Sequence, residues 1–88
     1  MKLQTVIDYC SYHEKDWAYT RLANCLPRYF QDVEDVSEFF VDGKIGALKM
    51  IVSVPHMGRK TFNCFMFVLE ELNYDWKTGK KLEVRKKI

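Results

Sequence analysis

No uninterrupted apolar run in this chain approaches the length needed to cross a bilayer, so a membrane-spanning helix is not expected. The opening residues, Met1-Lys2-Leu3-Gln4-Thr5-Val6-Ile7-Asp8, lack the apolar core of a secretory signal, and a cytoplasmic location is the expectation. Cysteine is sparse. Cys10, Cys25 and Cys64 are odd in number and widely separated, with no CxxC pair and no His/Cys cluster of zinc spacing. Neither a disulfide framework nor a metal site is expected, and the setting is a reducing one. Two prolines and four glycines leave no room for a Pro/Gly-rich linker, and neither an internal repeat nor a low-complexity segment is present. No alternating apolar and polar run supports a substantial sheet. Catalytic signatures are missing as well. His13 and His56 have no Ser, Cys or carboxylate partner at a telling spacing, and no phosphate loop is present, so no enzyme activity and no cofactor are expected.

What the chain does contain is one domain's worth of core. Its 88 residues are 48% hydrophobic and 15% aromatic, enough to bury a single core. The net charge of +2 is unevenly placed: residues 1–55 carry six Lys/Arg against eight Asp/Glu, and residues 56–88 carry eight against four. A basic C-terminal third on a near-neutral whole suits a local anion-binding surface; a solvated basic tail has the same composition.

Helical spacing dominates. Leu3, Val6, Ile7 and Cys10 share one face and predict a first helix ending near residues 11–13. Asp16 is a plausible N-cap for a second, with Tyr19, Leu22, Ala23 and Leu26 inward. Pro27 should kink or stop it, because it deletes a donor and clashes with the Ala23 carbonyl. Residues 32–40 predict a third helix with Val33, Val36, Phe39 and Phe40 apolar, followed by a turn at Asp42-Gly43-Lys44. Ile45, Leu48, Ile51 and Val52 place a fourth segment at helical spacing, with an extended ending allowed by the β-branched pair. Pro55 closes it. The last helix, Arg59 to about Asn73, is the clearest, with Phe62, Phe65, Met66, Leu69 and Leu72 as its core stripe and Asn73 as its C-cap. The expected architecture is all-α, a compact bundle of four to five short helices occupying residues 1–76. A basic tail, residues 77–88, follows, in which Leu82-Glu83-Val84 adds a strand, adds a turn or stays frayed.

Two segments carry chemistry. Val54-Pro55-His56-Met57-Gly58-Arg59-Lys60-Thr61 is a turn that delivers a helix N-terminus with two cations beside its free N–H groups. Such an end attracts anions, a nucleic-acid phosphate foremost. Gly58 allows close backbone approach, and the Thr61 hydroxyl is placed to reach a phosphate or cap the turn. The competing reading is an ordinary helix start whose Arg59 and Lys60 only solvate it. Upstream, Arg21 and Asn24 lie three apart on the face opposite Leu22, Ala23 and Leu26, with Arg28 continuing the stripe if Pro27 permits. Arginine enters the narrow A·T minor groove, and asparagine offers both donor and acceptor to base edges. Here too, solvation of an outer helix face is the alternative.

Together, Arg21-x-Ala-Asn24-Cys25-Leu26 and Met57-Gly58-Arg59-Lys60-Thr61-Phe62, with the later Leu69-Glu70-Glu71-Leu72, resemble the C-terminal domain of the bacterial RNA polymerase alpha subunit. The resemblance runs from about residue 19 to 73. It implies an all-helical fold with a helix-hairpin-helix-like turn, and one surface that binds the minor groove of A·T-rich DNA in transcription regulation. Carried over by position, Arg21 enters the groove, Asn24 meets the sugar–phosphate or a base edge, and Cys25 flanks them. His56 takes the polar position before the turn, Gly58 and the N–H groups after it hold a phosphate, and Lys60 and Thr61 contact the backbone. The chain departs from the pattern at Cys64, where the family has an acidic residue, at Pro27, and in about six extra residues around positions 39–47. The family's assembly domain is missing, so a free-standing, nucleoid-associated relative is the expectation. The alternative is a protein-interaction module of the same fold that docks on RNA polymerase or another transcription factor without appreciable DNA binding. On that reading the acidic residues Asp32, Glu34, Asp35 and Glu38 are a docking surface; otherwise they are a solvated face.

Overall fold

Apolar residues recurring three and four apart bury one side of a helix, and four segments of this chain form helices on that basis. The structure, a computed structural model, describes residues 1–13, 16–78 and 80–81. Its elements are α1 (Leu3–Tyr12), α2 (Trp17–Tyr29), a 3-10 segment (Val36–Phe40), α3 (Gly43–Val52), α4 (Arg59–Glu71) and a two-stranded antiparallel hairpin of β1 (Tyr74–Asp75) and β2 (Lys80–Lys81). The molecule is predominantly helical. Among the described residues no helix is long and apolar enough to cross a membrane.

α1 buries Leu3, Val6, Ile7 and Cys10, the face its spacing predicts. It packs on α2, which starts where Asp16 accepts a hydrogen bond from the Ala18 N–H at 3.2 Å. Pro27 does not stop α2. The helix runs on to Tyr29, and the Leu26 carbonyl still accepts from the Phe30 N–H at 3.1 Å. A proline inside a helix costs roughly 3 kcal/mol. Burying Leu22 and Leu26 returns about 1.5–3 kcal/mol each, and Pro27 sits in the last turn, where little helix remains to be disturbed.

The third helix is shorter and tighter than its spacing predicts. Residues 32–34 are not helical, and the segment begins with a capping box at Asp35. The Asp35 carboxylate accepts from the Ser37 N–H, and the Glu38 carboxylate accepts from the Asp35 N–H, both at 2.9 Å. Two of the four acidic residues therefore organise the local backbone. The same stretch is pinned to the start of the chain, with the Leu3 N–H on the Glu34 carbonyl at 2.9 Å and the Val36 N–H on the Met1 carbonyl at 2.8 Å.

The core is aromatic at its centre. Phe39 lies between Phe30 and Phe65 with ring centroids 5.0 and 5.3 Å away, and Trp76 stacks on Phe40 at 5.3 Å. Trp76 reaches Phe40 because Asn73 takes a left-handed conformation (φ 59°) after α4 and turns the chain back into β1. β2 pairs with β1 through Lys81, past residue 76 where the tail was expected to begin. The Leu82-Glu83-Val84 stretch lies outside the described residues. α3 also differs from expectation. It is helical through Val52 rather than extended at its end, and its buried face is Ala47 and Ile51; Ile45 and Val52 are exposed. Burial pushes the Cys10 thiol up to about 12, reinforced by Cys64, and the Cys64 thiol up to about 11, reinforced by Asp16. Both sulfurs stay protonated at neutral pH.

The hydrogen bonds from Ser37 hold the Asp35 carboxyl below its ordinary range. Its contribution to stability is present above the unfolded-state pKa and is lost as pH falls through the lower folded-state value. We expect Asp35→Ala to lower stability by about 1 kcal/mol at neutral pH. Urea titrations below about pH 4 should show a shallower acid-induced loss for the variant than for the parent.

Candidate nucleic-acid interface

The turn between α3 and α4 is built from Val54, Pro55, His56 and Met57. Proline presets φ at the second position, His56 has φ 69° at the third, and the Met57 N–H donates to the Val54 carbonyl at 3.1 Å. This is the pattern of a type II turn. Histidine stands where glycine is usual. Gly58 is the N-cap of α4 in extended conformation (φ −113°, ψ −165°), and a Cβ there would meet nothing within 4 Å. Positive φ therefore belongs to His56, and Gly58 is demanded neither by the backbone nor by packing. Its consequence is an open helix end: among the described residues no side chain caps α4, and the N–H groups of its first turn have no side-chain partner.

α2 brings its polar stripe to this end. The Arg21 guanidinium donates to the His56 carbonyl at 2.6 Å, across 35 residues of sequence. It also lies 5.1 Å from the centroid of Trp17, one turn earlier on the same helix. The Lys60 ammonium approaches the same indole at 5.3 Å. One half-exposed tryptophan thus holds a cation from α2 and a cation from the first turn of α4. Because α2 continues to Tyr29, Trp17, Arg21, Asn24 and Arg28 fall at i, i+4, i+7 and i+11, within about 60° of one another at 100° per residue. Asn24 and Arg28 are exposed, and the Arg28 guanidinium lies over Tyr29 at 5.7 Å. Among the described residues none of Arg21, Arg28, Arg59 and Lys60 is within salt-bridge distance of a carboxylate, and α4 carries none before Glu70.

The two sequence segments thus meet on one surface, with Arg21, His56, Gly58 and Lys60 together and Asn24 and Arg28 along the adjoining stripe. Two expected residues do not join them. Arg59 lines a groove on the α3 side of α4, with Lys44, Ile45, Leu48, Phe62 and Asn63. Successive helix positions are about 100° apart, so Arg59 and Lys60 diverge. Thr61 is fully buried, and its hydroxyl finds no hydrogen-bond partner among the described residues, so it does not reach a phosphate at the surface. At the third position of α4 its side chain turns into the core. Trp17 is the residue that sequence reasoning missed. Its signal was an aromatic four residues before an arginine on a helix's outer face. Compared with known proteins, the chain matches no family model, no curated protein and no solved structure.

An unsatisfied buried hydroxyl costs about 1–3 kcal/mol, and valine has the same shape. Thr61→Val is therefore expected to raise stability by about 1 kcal/mol in urea titration. At the left-handed turn position, His56→Gly should be neutral to stabilising by up to about 1 kcal/mol. His56→Val should destabilise by about 1–2 kcal/mol, since a β-branched residue tolerates positive φ poorly. Thermal melts of the two variants check the sign.

Proposed function

We propose that the chain is a small DNA-binding protein that contacts the minor groove and phosphates of A·T-rich duplex in transcription regulation, and that it acts in the cytoplasm on the nucleoid. Its predominantly helical architecture, with α3, the Pro55–His56 turn and α4 as a helix-hairpin-helix-like unit, is assigned on the same reading to the RNA polymerase alpha C-terminal domain type. The observation that carries the proposal is the joint placement of Arg21 and Lys60 on Trp17 beside the uncapped start of α4.

The physical argument runs from charge to shape. Two cations that have no carboxylate partner among the described residues, next to helix N–H groups that favour negative charge, form a phosphate-binding corner. Arg21 is held in place by one hydrogen bond and retains donors for bases or sugar, as a residue inserted in a narrow groove requires. Asn24 and Arg28 extend the contact along one line, which suits a groove or a backbone strand. The indole offers an apolar surface for a deoxyribose between the two cations. Thr61, being buried, has no part in this contact, and Arg59 faces elsewhere.

Gel shifts and anisotropy titrations on A·T-rich and G·C-rich duplexes test the reading. Binding should favour A·T-rich DNA and weaken with salt, with a log–log slope of about −2 to −4 for the few phosphates that one small face neutralises. Arg21→Ala and Lys60→Glu should each weaken binding about ten-fold or more. Gly58→Asp is the sharper variant. A carboxylate at the N-cap should stabilise the helix by a few tenths of a kcal/mol while abolishing phosphate binding at the same end. A Gly58→Asp protein that melts at or above the parent temperature yet binds duplex unchanged would refute the assigned surface.

A further inference from the structure

α3 carries an apolar stripe that the fold uses only in part, Leu48 packing against the core while Ile45 and Val52 stand exposed. Ile45, Leu48 and Val52 are spaced i, i+3, i+7 and lie within about 60° of one another, while the buried face of the helix is Ala47 and Ile51. Ile45 is 67% exposed and Val52 is 41% exposed. At the foot of this stripe a groove of roughly 260 Å³ opens between α3 and α4, floored by Ile45, Leu48 and Phe62 and edged by Lys44, Arg59 and Asn63. The groove's own lining carries Lys44 and Arg59 and no carboxylate, while Lys44 and Asn63 also border a neighbouring groove that holds Glu70 and Asp75. α3 contains Lys44 and Lys49, on either side of the stripe, and no Asp or Glu. The facing part of α4 contributes Arg59 and likewise no carboxylate before Glu70.

We propose that this groove docks an acidic, aliphatic segment of a protein partner, with one bulky apolar side chain in the groove and carboxylates on Lys44, Lys49 and Arg59. An apolar floor edged by Lys44 and Arg59, with Lys49 beside the stripe, fits a side chain flanked by carboxylates: burying the apolar group supplies affinity, and the charges set orientation and partner choice. Nucleic acid fits it poorly, because phosphates gain nothing from Ile45, Leu48 or Val52. Arg59 lines the groove and Lys60 lies over Trp17, about 100° apart around α4, so the two surfaces occupy different faces of that helix.

A displayed random dodecapeptide library, selected on the full chain, is the test. Enriched peptides should combine Leu, Ile or Phe with an excess of Asp and Glu. Their labelled synthetic forms should bind Ile45→Asp, and separately Lys44→Glu with Arg59→Glu, about ten-fold or more weakly than the parent. Arg21→Ala should leave them unaffected, and circular dichroism should confirm that the variants at the exposed positions Lys44, Ile45 and Arg59, and Arg21→Ala at a half-buried one, keep the fold. The proposal is overturned by a selection that returns no binder, by peptides without acidic excess, or by peptides indifferent to both variants. Displacement of the peptides by short duplex DNA, or self-association of the chain through Ile45, would equally overturn it by assigning the groove another occupant.

Discussion

The hydrogen bond from Arg21 to the His56 carbonyl joins the outer face of α2 to the turn that launches α4. A turn with a non-glycine residue at positive φ is under strain, and such a residue persists where its surroundings hold it in place. Arg21 supplies that hold from outside the turn, and burial of Val54 and Met57 on either side supplies it from within. With the turn fixed, the start of α4 faces Trp17, and Lys60 comes to rest on the same indole as Arg21. The positive corner is a consequence of that one tie together with the aromatic bridge.

Beneath it, packing terms outweigh the polar ones. Phe39 and Phe65 are almost completely buried, and truncating either to alanine is worth about 3–5 kcal/mol, against about 1 kcal/mol for a surface hydrogen bond. The aromatic column of Phe30, Phe39 and Phe65, closed over by Trp76 on Phe40, therefore sets the spacing of α2, α4 and the hairpin. That rigid spacing positions long side chains such as Arg21 and Lys60 closely enough to share one ring. α3 is the least committed element. It buries Ala47 and Ile51 fully, packs Leu48 and Met50 against the core in part, and leaves Ile45 and Val52 exposed between lysines, which gives the molecule a second face of different chemistry from the first.

Much of the helical plan was legible along the chain, and for one reason. Where an element has a single buried face, the 3.6-residue period exposes it, as with Leu3, Val6, Ile7 and Cys10 in α1 or Phe62, Phe65 and Leu69 in α4. Asp16 at the start of α2 and Asn73 after α4 were legible because capping is local chemistry. The plan failed where a local rule met a stronger tertiary term. Pro27 remains within α2 because the burial of its neighbours outweighs the proline penalty, and residues 32–34 give way to a capping box and to contacts with the first residues of the chain. The period also finds an apolar stripe without saying what covers it, so Ile45 and Val52 looked like core.

The candidate site divides along the same line. By itself the sequence determined which residues could carry positive charge, where a helix would begin without a cap, and that Arg21, Asn24 and Arg28 share a face if α2 persists. Only the tertiary structure decided that Arg21 meets the 54–58 turn, that Trp17 joins Arg21 to Lys60, and that neighbouring Arg59 and Thr61 are lost to the groove and to the core. The physical reason is that charge, capping and periodicity are properties of consecutive residues. A contact across 35 positions depends on how whole helices pack, and no local spacing encodes that.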